Sequence, residues 1–279
     1  MRVAMLTNLT ARASFPVLQR LATSTEIELV HVFFYDTLSA SRSSPLIVLR
    51  QFGWKKVVSK AGEAMLSKLR IVLGQRLGGK WLLPRSVYEG AVFGQLPLSV
   101  TTDINDASTL DHLRQLDVDI LLVCVCKNIL KSEVLQLKPT QCINIHPSLL
   151  PYYRGPTPTF WMLYHGESQT GFTIHSMTEQ IDQGEVLAQR PVPLDRQKSE
   201  LEIEYQVFSA AADDLEETLL RFNQRAPTGT RTWAIQDGSQ VRVDEAHATV
   251  GSYHTYPTAD DRRELKKRLM QRLSYDLRE

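Results

Sequence analysis

Short apolar runs alternate along most of this chain with stretches whose apolar residues recur at helical spacing. Arg2 to Leu6 reads as a buried strand, Phe15 to Ala22 as a helix, and Glu26 to Phe34 (EIELVHVFF) as a second strand. That is the strand–helix–strand unit of a parallel sheet, whose crossover is nearly always right-handed. Further on, Ala107 to Leu116 predicts a helix, Asp119 to Val125 (DILLVCV) a central buried strand, and Asn128 to Leu137 a helix. Cys142 to His146 follows as a strand and Thr157 to Tyr164 as a helix, in which Trp161 and Tyr164 fill core or line a pocket. Thr170 to Met177 and Glu185 to Val192 read as strands, and Ser199 to Asn223 as a long, acid-rich helix. In the tail, Thr230 to Ala248 suggests a small strand pair, after which Thr258 is placed to N-cap a final charged helix. The pattern as a whole predicts an α/β fold with a mostly parallel sheet, which places ligands beyond the strand carboxyl ends at a switch point.

Residues 36–96 break this alternation. Between Arg42 and Arg85 there are ten Lys or Arg against one acid, Glu63, while Ala61, Ala64, Met65, Leu69, Val72 and Leu73 recur near helical spacing. This predicts a basic helical insert within a catalytic unit of residues 1–224, followed by an extension over 225–279. The insert reads as a solvated helix face, as a lip that steers an anionic ligand, or as a membrane-surface helix. At 279 residues, 43% hydrophobic, 23% charged and net +1, the rest is ordinary globular material. The opening MRVAMLTNLT has too short an apolar run for a signal-peptide core, and no window approaches a membrane span. Cys124, Cys126 and Cys142 sit in apolar runs and read as reduced core thiols of a cytoplasmic protein. No cluster has zinc-ligand spacing, so no metal is expected. The loop after the first strand, TNLTARASF, lacks the glycines with which a backbone closes on a phosphate.

The chemistry concentrates between Gln141 and Gln189. Asn144 and His146 are two apart on a strand, so their side chains share a face, and Pro147 stops the ladder behind them. Asp182 follows in an Ile-Asp-Gln-Gly turn. A carboxamide donor, an imidazole and a carboxylate suit attack of a neutral amine on a carbonyl carbon. Such a reaction needs donors for the developing oxyanion and a group to take the proton from nitrogen. Ser148 has no base in sequence beside it, so direct transfer is favoured over a covalent intermediate.

The segment Asn144–Gly184 resembles the core of the 10-formyltetrahydrofolate-dependent formyltransferases, through NIHPSLLPYYRG, then GFTIH, then IDQGEVL, in order. The resemblance implies a Rossmann-like, mostly parallel sheet of about seven strands. It implies that Asn144 and His146 polarise the formyl group and that Asp182 orients and charges His146. Thr173 and His175 would support the Asp182 loop, with Ser148 in the turn beside them. The backbone of Cys126, Lys127, Asn128, Ile129 and Leu130, and of Gln180, Ile181, Gln183 and Gly184, would hold the pteridine ring of the formyl donor. Asn8-Leu9-Thr10-Ala11 stands where the glycinamide ribonucleotide enzymes carry a Gly-rich phosphate loop. The methionyl-tRNA enzymes carry a C-terminal barrel larger than the roughly 55 residues that follow Asn223. The expected acceptor is therefore a small-molecule amine, such as an amino-sugar nucleotide or an ornithine-type amine. A tRNA-directed enzyme and a formyl-donor hydrolase are the alternatives. A homodimer through the tail hairpin and helix is one use for the extension.

Overall fold

The computed structural model describes residues 1–9, 11–36, 86–224 and 253–276. The basic stretch 42–85 and the strand pair expected over 230–248 lie outside the described residues. Seven strands form one sheet: β1 Arg2–Asn8, β2 Glu28–Tyr35, β3 Leu98–Thr101, β4 Ile120–Cys124, β5 Gln141–His146, β6 Gln169–Ser176 and β7 Val186–Pro193. Their order is β3-β2-β1-β4-β5-β6-β7. The first five strands in that order pair in parallel, whereas β5–β6 and β6–β7 are antiparallel. The fold is thus the Rossmann-like, mostly parallel α/β sheet expected. Every residue of β4 is buried, as befits a central strand covered on both faces.

Seven helices are described: α1 Phe15–Thr23, α2 Val87–Phe93, α3 Ala107–Leu116, α4 Ser132–Leu135, α5 Pro158–His165, α6 Glu200–Asn223 and α7 Ala259–Asp276. Two apolar cores result, one on each face of the sheet. Val3, Met5, Ile143 and Ile145 pack against α1, α5 and α6. Ala4, Leu6, Leu121 and Val123 pack against α3 and α4. The long helix α6 buries Ile203, Val207, Ala211, Leu215 and Leu219 along one stripe, and begins with a Ser199–Glu202 capping box. Thr258 and Asp261 cap α7 reciprocally, the Asp261 N–H to Thr258 Oγ1 at 3.2 Å and the Thr258 N–H to Asp261 Oδ2 at 2.8 Å.

One local reading needs correction, and one strand goes unpredicted. The helix expected over Asn128–Leu137 shrinks to the single turn α4, because its first residues are cross-bonded to the 103–105 loop. Asn128 Oδ1 accepts from the Ile104 N–H at 2.6 Å, the Lys131 N–H donates to Asn105 Oδ1 at 2.8 Å, and Asn105 Nδ2 donates to the Ile129 carbonyl at 3.0 Å. Helix α2 falls within the 36–96 stretch read as a helical insert, whereas the pattern predicts no element for the edge strand β3, just beyond it. Cys126 lies past the end of β4, where it packs against the core and also lines a cavity; burial pushes its thiol up to about 12.

The candidate active site at the strand carboxyl ends

Beyond the ends of β1, β4 and β5, at the switch between β1 and β4, opens a cavity of about 1330 Å³ including its mouth. Its polar floor is made by Asn144, His146 and His175, on two paired strands. Asn144 lies opposite His175 and His146 opposite Thr173 in the antiparallel β5–β6 register. Directly opposed and alternate residues share a sheet face, so the four converge. Asn144 Nδ2 and His175 Nε2 are 3.1 Å apart.

The hydrogen bonds fix the proton positions. His146 Nε2 lies 2.9 Å from the Tyr153 carbonyl oxygen, which can only accept, so Nε2 carries a proton. Nδ1 of the same ring faces Asp182 Oδ1 at 3.8 Å. His175 Nδ1 lies 2.8 Å from the Ser176 carbonyl and must likewise donate. A neutral His175 then accepts the Asn144 amide proton at Nε2, leaving one Asn144 N–H uncommitted. Burial holds the His175 imidazole well below its usual range; Asp182 opposes that effect and His146 adds to it.

Asp182 is held between the two imidazoles, with Oδ1 also 3.9 Å from His175 Nε2. Its other oxygen accepts the Gly155 N–H at 2.8 Å. Arg154 Nη2 donates to the Ile181 carbonyl at 2.6 Å, which bolts the Asp182 loop to the 153–155 turn. Val125, Tyr153, Thr157 and Asp182 all adopt positive φ, between 48° and 55°, around this one cavity. For β-branched Val125 and Thr157 that conformation costs about 1–3 kcal/mol each, a concentration of strain typical of functional sites.

The other residues expected here divide. Cys126, Lys127, Asn128, Ile129, Leu130 and Ile181 line the cavity, whereas Gln180, Gln183 and Gly184 do not. Gln183, with its amide oxygen turned to the Arg154 guanidinium at 2.6 Å, ties the loop from behind. Gly184 is backed against β6, where a Cβ would come within 1.7 Å of the Ser176 carbonyl oxygen. Thr173 braces the turn after β5 and not the Asp182 loop: it donates to the Ser148 carbonyl at 2.7 Å and accepts from the Leu150 N–H at 3.0 Å. The Ser148 hydroxyl donates to the Tyr152 carbonyl at 2.8 Å. His146 takes its orientation from the Tyr153 carbonyl, since Asp182 is too far for a direct hydrogen bond.

The extension supplies the rim. The His254 N–H donates to the Arg154 carbonyl at 2.9 Å and Trp161 Nε1 donates to the Thr255 carbonyl at 2.9 Å. His254 stacks on Tyr153 and Trp161, each at 5.3 Å between ring centres. Trp161 and Tyr164, packed against the edge of the core, also anchor the tail, with Arg268 lying 4.3 Å over the Tyr164 ring. Gly155, at φ 93°, is needed where the tail crosses, because a Cβ would sit 2.3 Å from the His254 carbonyl oxygen. Tyr253 and Tyr256 line the cavity, and Lys127 Nζ lies 5.3 Å over the Tyr256 ring.

Fold and site together describe an α/β protein with an Asn–His–Asp set in a cleft at the sheet's switch point, the equipment of a group-transfer site. Residues 97–219 match the family model described as formyl transferase. It is 37% identical over 147 residues to the methionyl-tRNA formyltransferase of Gloeothece citriformis (strain PCC 7424), covering 52% of this chain and 44% of that protein. It is 40% identical over 116 residues to the methionyl-tRNA formyltransferase of Syntrophus aciditrophicus (strain SB), covering 42% and 37%. The chain spans less than half the length of these two relatives. A sugar N-formyltransferase from Shewanella sp FDAARGOS_354 shares its fold over 95% of this chain and 86% of that one, with a TM-score of 0.50 at 17% identity. Glycinamide ribonucleotide transformylase 1 from Symbiobacterium toebii does so over 83% and 92%, with a TM-score of 0.56 at 15% identity. Among the described residues no helix is long and apolar enough to cross a membrane, and no group of His, Cys, Asp and Glu is arranged to hold a metal.

Asn8, Glu204, Tyr253 and Tyr256 line the cavity without having been picked out in the sequence. Glu204 left a trace there: it stands four residues before Phe208, at the edge of the apolar stripe of α6. The two tyrosines left none, because only a contact across about a hundred residues brings them to the site.

Proposed function

We propose that this protein transfers the formyl group of 10-formyltetrahydrofolate to the amine of a small molecule, such as an amino-sugar nucleotide or an ornithine-type amine. The observation that carries this reading is the convergence of Asn144, His146 and Asp182 on one end of the cavity, with Asp182 Oδ1 at 3.8 Å from His146 Nδ1. The cavity suits the donor's flat ring, since Val123, Val125, Ile129 and Ile181 offer apolar walls between the 126–130 and 178–182 loops. The bound donor supplies an electrophilic formyl carbon. The chain's own groups do the rest. Asn144 turns its uncommitted N–H, and protonated His146 its Nδ1–H, toward the oxygen on which charge develops as the amine adds; each such donor is worth up to ~10²–10³ in rate. Asp182 balances the imidazolium and is the nearest base for the proton the nitrogen sheds. That proton replaces the one taken by the leaving nitrogen of the donor, so atoms balance without a covalent enzyme intermediate.

A methionyl-tRNA acceptor is the second reading, favoured by the relatives with 37% and 40% identity. The test is a panel of amines with 10-formyltetrahydrofolate, methionyl-tRNA included, following donor loss and free formate together. Donor loss that depends on an added amine and yields its formyl derivative supports transfer. Formate release indifferent to every amine overturns it in favour of a hydrolase.

A further inference from the structure

The cavity holds hydrogen-bond acceptors that the protein itself leaves unfilled. Asn8 is only 6% exposed and lines the cavity, yet its Oδ1 has no hydrogen-bond partner. Its backbone is already committed, the N–H to the Val125 carbonyl at 3.3 Å and the carbonyl to the Ala11 N–H at 3.0 Å. A buried carbonyl oxygen without a donor costs about 1–3 kcal/mol, so a site that keeps one is built for a donor that arrives from outside.

Glu204, in the second turn of α6, lines the same cavity. One turn earlier Glu200 is held by Arg262 Nη1 at 3.5 Å, but no cation faces Glu204 among the described residues. Burial, with Glu200 adding to it, raises the Glu204 carboxyl to about 7. The charged side chains lining the cavity are otherwise Asp182, Glu179 and Lys127, three carboxylates against one ammonium when Glu204 is counted. Glu179 accepts from Ser132 Oγ at 2.6 Å and Lys127 lies over the Tyr256 ring, so neither neutralises Glu204.

Building on the formyl-transfer reading, we propose that the acceptor carries, besides the amine that is formylated, a second cationic group that Glu204 binds, while Asn8 Oδ1 takes an N–H or O–H of the same molecule. The substrate class is then a diamine or a diamino acid, and not a phosphorylated or nucleotide-linked amine. A cation beside Glu204 supplies the charge it lacks, and only an acceptor of the right length reaches both Glu204 and the Asn144–His146–Asp182 set.

The experiment compares α,ω-diamines from 1,3-diaminopropane to 1,8-diaminooctane with the monoamines of equal length, at saturating 10-formyltetrahydrofolate. The native protein is expected to favour one diamine over its monoamine by tenfold or more in kcat/KM. Glu204→Gln is expected to bring that ratio to about one. Glu204→Asp, which withdraws the carboxylate by one carbon, is expected to move the favoured diamine one carbon longer. Formylation of amines with no diamine preference in the native protein, or a preference that survives Glu204→Gln, overturns this proposal alone. Absence of formylation on every amine overturns the transferase reading beneath it as well.

Discussion

Replacing His175 with Phe tests how the site aims its amide. The ring keeps its approximate volume, but both nitrogens go. Asn144 Nδ2 loses its acceptor at 3.1 Å and the Ser176 carbonyl its donor at 2.8 Å. Because His175 is 2% exposed, water does not replace either bond freely. Two net hydrogen bonds at ~1 kcal/mol each, plus ~1–3 kcal/mol for a buried group left unpaired, predict a loss of about 3–5 kcal/mol in stability. The catalytic effect follows from orientation. Losing one oxyanion donor outright costs up to ~10²–10³ in rate, so an Asn144 freed to rotate is expected to lose about 10–100-fold in kcat. The donor's KM should move little, because the 126–130 wall is untouched. The assay is initial-rate donor loss with the best amine of the panel, run well below the variant's melting temperature. His175→Gln, which restores an acceptor oxygen toward Asn144, should recover most of the loss. A His175→Phe variant whose kcat stays within about twofold of native, while Asn144→Ala is severely impaired, would refute the orienting role.

Thr173→Val removes three hydrogen bonds at a fully buried site, to the Ser148 carbonyl, the Leu150 N–H and Gln189 Nε2. It is expected to cost about 2–4 kcal/mol and lower the melting temperature by roughly 5–12 °C, read by calorimetry or circular dichroism. His31 is lowered from 6.5 to about 4 by burial and by His112 beside it. The unfolded chain therefore takes up this proton first, and stability falls as pH drops from about 6.5 toward 4, by up to ~3 kcal/mol. Urea unfolding at pH 7 and pH 4.5 should show that loss, and His31→Asn should flatten it. Glu204 behaves oppositely: its carboxyl is raised, so stability is lost as pH rises from about 4.5 through 7. Glu204→Gln should therefore unfold at higher urea than native at pH 8 and at the same urea at pH 4.

The strands that position the site were readable because burial on both faces leaves a continuous apolar run, as in DILLVCV, and because period-two alternation set Asn144 and His146 on one face. The same alternation in GFTIH marks Thr173 and His175 as a pair, and register alone puts them across from His146 and Asn144. Sequence said nothing of which atoms they would hold. Thr173 clamps the 148–150 turn and the Tyr153 carbonyl orients His146, both through bonds that depend on how the Pro-rich turn closes. The Asn128–Leu137 helix failed for a related reason: its apolar spacing is helical, but long-range bonds from Ile104, Asn105 and Asn128 win over the local ladder. β3 has only four residues, too few for a period to declare itself. The tail's place over the cavity, made by Tyr253, His254 and Tyr256, rests on contacts with Arg154 and Trp161 that no local pattern encodes.

The central claim is that a single carboxylate, poised between two imidazoles, serves the transfer of a formyl group to nitrogen. Its most direct measurement is single-turnover formation of the formylated amine by native protein and by Asp182→Asn, with donor binding titrated in parallel. The account predicts product from the native protein and a fall of at least about a thousandfold in the variant, with donor affinity within a few-fold. Product formed at near-native rate by Asp182→Asn would contradict it.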